Sequence, residues 1–242
     1  MHGFQNDVAA LIALAEDYPY GRPSVGWLFD DGAIRPLEAP WHEQRTPVLA
    51  CGSNGAPSRL LQKYAAGSGA RIPVTPAWLD DWVVVYSAHF TGYGALPATL
   101  HPCRGARTRL CVTWLTAAQL ELMHRSEGAG ERYDYALLER LELEVEGHGA
   151  IDRAGAYLSR RGPLAQDGRA VRLAETLTYG CDLEACSQPT MLRRVHRLLA
   201  PDEPYLAFMA RILRSADERS RATAGLPVLA ETPQMHDRSG GG

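Results

Sequence analysis

Cysteine is scarce in this sequence and follows no recognisable pattern. Five occur in 242 residues (Cys51, Cys103, Cys111, Cys181 and Cys186), an odd number with no Cys-x-x-Cys pair. That argues against a disulfide framework and against a zinc knuckle, and free thiols in a reducing cytoplasm are the expected state. The eight histidines show no His-Glu-x-x-His or similar spacing, so no dedicated metal site is expected. Charge of one sign is lacking as well. A formal net charge of −3 gives no general pull towards nucleic acid or anionic membrane. The basic run Arg193, Arg194, Arg197, Arg211 and Arg214 is interleaved with Asp202, Glu203, Asp217 and Glu218, and reads as a solvated helix face rather than a nucleic-acid surface. No apolar run approaches a membrane span, the longest lying around Trp82 to Tyr86. MHGFQNDVAA has no basic region before its apolar stretch and makes a poor signal peptide, so the expected location is cytoplasmic. There is no repeat of solenoid length.

Hydrophobic residues make up 45% of the chain, enough for a substantial core. Helical spacing predicts a helix over Asn6 to Glu16. Gly- and Pro-rich chain from Arg22 to Pro40 reads as irregular with one short strand. Pro47 to Cys51 reads as a strand, and Pro57 to Tyr64 as a short helix with proline in its first turn. Asp81 to His89, Ala98 to His101 and Thr108 to Leu115 read as strands. In the last, Leu110, Val112 and Trp114 point one way, Cys111 and Thr113 the other. Thr116 to Glu127 is a punctuated helix. Thr116 and Gln119 have capping-box spacing, Leu115 and Leu120 fit a hydrophobic staple, and Gly128 supplies a left-handed stop. Tyr135 to Val145 and Ala156 to Arg160 are further strands. Pro189 to Thr223 turns helical, broken in two by Pro201 and Pro204. Ala224 to Gly242 reads as a mobile tail, its final Ser-Gly-Gly-Gly resembling an appended scar. Strands in the middle with helices inserted and appended make an α+β pattern, and the strand spacing fits a small, partly closed barrel.

Two features carry chemistry. Glu127 lies four residues after Met123 and seven after Leu120, so the three share one helix face and Glu127 should point inward. Apolar surroundings and the helix C-terminus would both raise its pKa and suit it to proton transfer near neutral pH. The alternative is a frayed helix end that turns Glu127 into solvent. The second feature is Gly52-Ser53-Asn54-Gly55, between a predicted strand and a predicted helix. Small residues there let consecutive backbone N–H groups converge on an anion such as a carboxylate, and the helix start adds partial positive charge. The alternative is a tight Asn-Gly turn.

Together, "LACGSN" (Leu49 to Asn54), "GALPATLHPCRGARTRLCVTWLTAAQLELMHRSEG" (Gly94 to Gly128) and "YDY" (Tyr133 to Tyr135) resemble the gamma-glutamylcyclotransferase family, including its AIG2-like members, over roughly Thr46 to Thr176. The resemblance implies an α+β fold: a small mixed β-barrel of gamma-glutamylcyclotransferase type with flanking helices, here with a helical C-terminal appendage. It divides the chain into an N-terminal extension (1–45), the family-like domain (46–186), and a helical extension with flexible tail (187–242). It implies a small-molecule substrate, a gamma-glutamyl amide or related amide, bound by Gly52, Ser53 and Asn54. Glu127 would be the acid/base that helps the substrate's own α-amine close on its γ-carbonyl and release 5-oxoproline and an amine. It calls for no metal and no organic cofactor. Three positions depart from the family pattern. Cys51 stands where a tyrosine is usual, Gly55 where an apolar residue is usual, and about fifty residues are added at each end.

Other readings stay open. Cys51 could be a nucleophile with His89 or His101 as its base, making a thiol-dependent amide hydrolase. It could equally be a small buried residue at a strand end. Tyr133 and Tyr135 could line the pocket with Cys51, one expected to face in and the other out. Tyr86, His89 and Tyr93 are as well explained by core packing as by substrate contact. The fold could serve as a non-catalytic binding module. The terminal helices could pack on the barrel or on a second subunit.

Overall fold

The computed structural model describes residues 2–38 and 41–229. Helix α1 (His2–Glu16) leads into a hairpin of β1 (Trp27–Asp30) and β2 (Ala33–Pro36), where one short strand was expected. Asp31 and Gly32 turn it with φ of 50° and 95°, the positive values a two-residue hairpin requires. Next come β3 (Thr46–Ala50), a 3₁₀ turn (Ser53–Gly55) and α2 (Pro57–Lys63), close to expectation.

The central pair is longer than the sequence suggested. β4 (Arg71–Tyr86) and β5 (Ala98–Leu115) are each continuous and antiparallel to one another. The register shifts between Asp80 and Trp82. Asp81 adopts φ 63° there, and its carboxylate accepts the Gly105 N–H at 2.7 Å. This bulge is where the sequence-predicted strand had begun.

Helix α3 (Ala117–Glu127) has its full capping box, Thr116 and Gln119 each accepting from the other's backbone N–H. It stops at Gly128 with φ 64°. Beyond it lie β6 (Tyr133–Leu138), β7 (Leu143–Val145), β8 (Gly149–Ile151) and β9 (Ala154–Ser159). The single strand expected over Tyr135 to Val145 is two, because β6 pairs with β9 whereas β7 pairs with β4 and β8. Five two-residue strands follow: β10 (Ala165–Gln166), β11 (Arg169–Ala170), β12 (Arg172–Leu173), β13 (Thr178–Tyr179) and β14 (Ala185–Cys186). The chain then forms α4 (Gln188–Leu199), α5 (Tyr205–Arg214) and α6 (Ala216–Ala224). There are three helices rather than two because Ser215 caps a new start, its hydroxyl accepting the Glu218 N–H at 3.2 Å.

The architecture is α+β, a large and mostly antiparallel sheet with helices around it. Its main path runs β14-β12-β4-β5-β3-β9-β6, with parallel pairings only at β3–β9 and β12–β14. Among the described residues the path does not close on itself, so the expected barrel is an open sheet. β5 is buried on both faces. Leu110, Val112 and Trp114 belong to one core cluster, Cys111 and Leu115 to the other. Ile12 and Ala15 of α1, Met191 and Val195 of α4, and Phe208 and Ile212 of α5 join the first cluster alongside Leu79 and Val84. Large buried side chains of this kind each contribute about 1.5–3 kcal/mol before entropy. The C-terminal helices are therefore built into the main core rather than appended to it.

Part of the expected tail is also packed. Leu226 is buried, the Ala165 N–H donates to Pro227 at 3.0 Å, and the Leu229 N–H donates to Pro163 at 2.9 Å. The remainder of that tail lies outside the described residues. Among the described residues no helix is long and apolar enough to cross a membrane.

Candidate functional site

The strand β3 delivers Cys51 and the Gly-Ser-Asn turn to a cavity of about 380 Å³. Helix α3 delivers Glu127 to the same cavity, as its face with Met123 required; Met123 is fully buried. Asn54 Nδ2 donates to Glu127 Oε1 at 3.1 Å. The two features read from the sequence, 73 residues apart, therefore touch. Cys51, Gly52, Ser53, Asn54, Glu127 and Tyr133 all line the cavity. A larger groove of about 910 Å³ beside Trp114 and His148 holds none of them.

Tyr135 does not reach the cavity. It packs edge-on against His124 and is tilted against Tyr157. The expected opposition of Tyr133 and Tyr135 fails for a simple reason. Residues two apart on a strand share a face, and Asp134 takes the other. Both tyrosines accordingly join the same core cluster.

The surroundings of Glu127 also differ from expectation. Instead of an apolar pocket, the carboxylate meets the Lys63 ammonium, which contacts Oε1 and lies 3.3 Å from Met123 Sδ. Lys63 projects from the last turn of α2 and is nearly buried, its side chain 9% exposed. Burial pulls the Lys63 pKa down, opposed by the charge of Glu127. Glu127 Oε1 takes both contacts; among the described residues Oε2 has no hydrogen-bond partner and is free for a ligand.

Several lining residues were not singled out from sequence. Arg59, on α2, spreads its guanidinium over the Tyr93 ring at 4.4 Å, and its Nε is buried without a hydrogen-bond partner. With Lys63 and Arg132, it gives the cavity three cations to one carboxylate. Among the described residues neither Arg59 nor Arg132 has a carboxylate partner.

Tyr18 follows α1 and is buried beneath the loop. Its hydroxyl oxygen accepts the Ala98 N–H at 2.8 Å. A Cβ added to Gly52 would stand 2.0 Å from that oxygen, so the loop needs glycine here. At Gly55 the fit is tight but milder, with 3.1 Å between an added Cβ and the Cys111 Cβ. Burial pushes the Tyr18 phenol well above its ordinary pKa, so it remains a protonated donor. The Gly52 N–H has no acceptor among the described residues.

For the thiol route, no hydrogen bond joins Cys51 to a histidine among the described residues. Burial pushes Cys51 up to about 12, leaving it a thiol at neutral pH. His89 lines the cavity, with its Nδ1 bonded to Ser87 Oγ at 2.8 Å and its Nε2 3.5 Å from the Tyr133 hydroxyl. His101 is buried away from the cavity with Nδ1 unpartnered. Of the three aromatic candidates, His89 and Tyr93 line the cavity, whereas Tyr86 is core, its hydroxyl donating to the Cys186 carbonyl at 2.8 Å.

His89 has a consequence for pH. Burial first, then Arg132 and Arg161, depress its pKa from 6.5 to about 4. Below pH 6.5 the unfolded chain binds a proton that the folded protein refuses until about 4, so stability falls as pH drops through that window. The full contribution is about 3 kcal/mol. His89→Asn should reduce the loss of unfolding free energy between pH 7 and pH 4.5, measured by urea denaturation. Parallel pH profiles for the two proteins would refute this role.

No family model matches the sequence, and no curated protein does. Solved structures that align with the fold include one named gamma-glutamyl cyclotransferase (15% identity, TM-score 0.39, 48% of this chain and 68% of that chain). An AIG2-like protein from Mus musculus aligns at 10% identity and TM-score 0.36, over 49% of this chain and 80% of that one. A yeast gamma-glutamyl cyclotransferase specific to glutathione aligns at 13% identity and TM-score 0.33, over 76% of this chain and 94% of that one. With TM-scores this low, any assignment of function has to stand on the side chains of the cavity.

Proposed function

We propose that this protein is a gamma-glutamylcyclotransferase-like enzyme that converts a gamma-glutamyl amide, or a related small amide, to 5-oxoproline and an amine. The observation that carries the reading is Asn54 of the Gly-Ser-Asn turn bonded to Glu127 at 3.1 Å inside one small cavity. The cavity volume suits a small ligand, and its excess of positive charge suits an anionic one. In this reading the substrate carboxylate lies against the Gly52 and Ser53 backbone. Its α-ammonium faces Glu127 Oε2, where the carboxylate takes one proton. The cations Lys63, Arg59 and Arg132 ease that loss, because like charges lower an ammonium pKa. The freed amine attacks the γ-carbonyl carbon. A nitrogen–carbon bond forms, the bond to the leaving amine breaks, Glu127 returns its proton to the leaving nitrogen, and the second surplus proton of the ring nitrogen passes to solvent, leaving the neutral lactam. Ring closure is intramolecular, so the enzyme's share is positioning and proton transfer.

One observation favours a second reading, a non-catalytic binding module. The Lys63 contact neutralises Glu127 and could make the pair structural. A panel of gamma-glutamyl amines and dipeptides, assayed for 5-oxoproline by mass, separates the two. Turnover that persists in Cys51→Ala is the expected result. Binding without product would favour the module, and turnover lost in Cys51→Ala but kept in Glu127→Gln would favour thiol chemistry.

A further inference from the structure

Away from this cavity, two thiols face each other across the sheet. Cys103 lies in β5 and Cys181 just after β13, and their Sγ atoms are 3.1 Å apart. That is roughly 1 Å more than the bonded separation of about 2.05 Å. The approach is built into the backbone. β13 pairs with β5 through Thr178–Thr108 and Tyr179–Arg107, and the chain then turns at Gly180 with φ 66°. A Cβ at Gly180 would stand 2.2 Å from the Gly105 carbonyl oxygen, so only glycine lets the segments close this tightly. Both cysteines are partly exposed, whereas Cys51, Cys111 and Cys186 are buried. Cys103 and Cys181 also pack together against Val83, Val85, Ala106 and Ala170. All five cysteines are free thiols, as the sequence led one to expect, and Cys103 and Cys181 are in contact.

We propose that Cys103 and Cys181 form a dithiol modification site that a small disulfide of the glutathione type oxidises to an intramolecular bridge. One thiol, as thiolate, attacks the external disulfide, forms a mixed disulfide and expels one small thiol. The second attacks the protein sulfur of that adduct, expels the other small thiol and closes the Cys103–Cys181 bond. The protein loses two hydrogens and two electrons, and the external disulfide is reduced to two thiols. Burial and the neighbouring Cys181 sulfur push Cys103 up to about 12, against Arg172, so it waits as a thiol near neutral pH. The bridge would tie β5 to the segment between β13 and β14 and close a loop spanning 78 positions.

The test uses the full chain exposed to glutathione disulfide, followed by thiol alkylation and peptide mapping. The expected result is a loss of two mass units, a cross-linked peptide pair containing Cys103 and Cys181, and reversal by dithiothreitol. The melting temperature should rise by about 5–15 °C through the constraint on the unfolded chain. Cys103→Ser and Cys181→Ser should each trap a stable glutathione adduct on the remaining thiol, because no resolving partner is left. A wild-type adduct that never cyclises, a bridge to another cysteine, or both thiols still open to alkylation after exposure would each overturn the proposal.

Discussion

Glu127→Gln is expected to lower turnover of a gamma-glutamyl amide by about 10²–10⁴-fold, the range in which a positioned acid/base contributes. The amide keeps the size of the side chain and can still accept from Asn54, but it loses the charge that faces the substrate ammonium, so the Michaelis constant should rise as well. It cannot take the proton from the substrate ammonium. The same substitution strands the Lys63 ammonium, whose side chain is 9% exposed, and should destabilise the fold by on the order of 3 kcal/mol. Lys63→Met combined with Glu127→Gln removes both charges and should recover most of that stability without recovering turnover. Unfolding curves and steady-state kinetics on the two single variants and the double variant check this. Restored activity in the double variant would mean that Glu127 serves the fold rather than the proton.

Gly52→Ala is expected to damage the cavity and the fold together. The new methyl would lie 2.0 Å from the Tyr18 hydroxyl, which is held by the Ala98 N–H. Overpacking of this kind costs about 1–3 kcal/mol. Either the loop or the phenol must retreat from the cavity, and turnover should fall with it. Tyr18→Phe removes the oxygen that clashes. Combined with Gly52→Ala it should return part of the lost stability, but not all, since the Tyr18 Cζ is itself 3.0 Å from the built Cβ. Strict additivity of the two substitutions would show that the hydroxyl and the loop do not meet in this way.

Local grammar made part of this molecule readable. The Thr116–Gln119 box, the Gly128 stop and the Met123 spacing together aimed Glu127 inward, and it lies there. The Gly-Ser-Asn turn was legible because glycines at close approaches announce themselves. Long-range partners left no such mark. Nothing near Lys63 in sequence says that it will face a carboxylate 64 residues on. Nothing near Tyr18 says that its phenol will fill the space under Gly52. The first half of β4 was hidden by Pro73 and Pro76, which normally deny a central strand its donors. The barrel expectation took strand spacing as closure, which only the pairing of the end strands could have decided.

The involvement of both flanking stretches in the main core has a consequence for biosynthesis. Tyr18, made early, forms part of the cavity wall. The Phe90 N–H, on another wall, is held by the Thr223 hydroxyl at 3.1 Å. Glu16 accepts the Tyr205 hydroxyl at 2.9 Å across 189 positions of chain. A chain still being synthesised can make the Gly-Ser-Asn turn and helix α3, but it lacks the support of α5 and α6 until residues beyond 220 have left the ribosome. Ligand binding should therefore appear late in synthesis and all at once, and a ribosome stalled before Thr223 should carry a chain with Glu127 in its helix but no finished pocket around it.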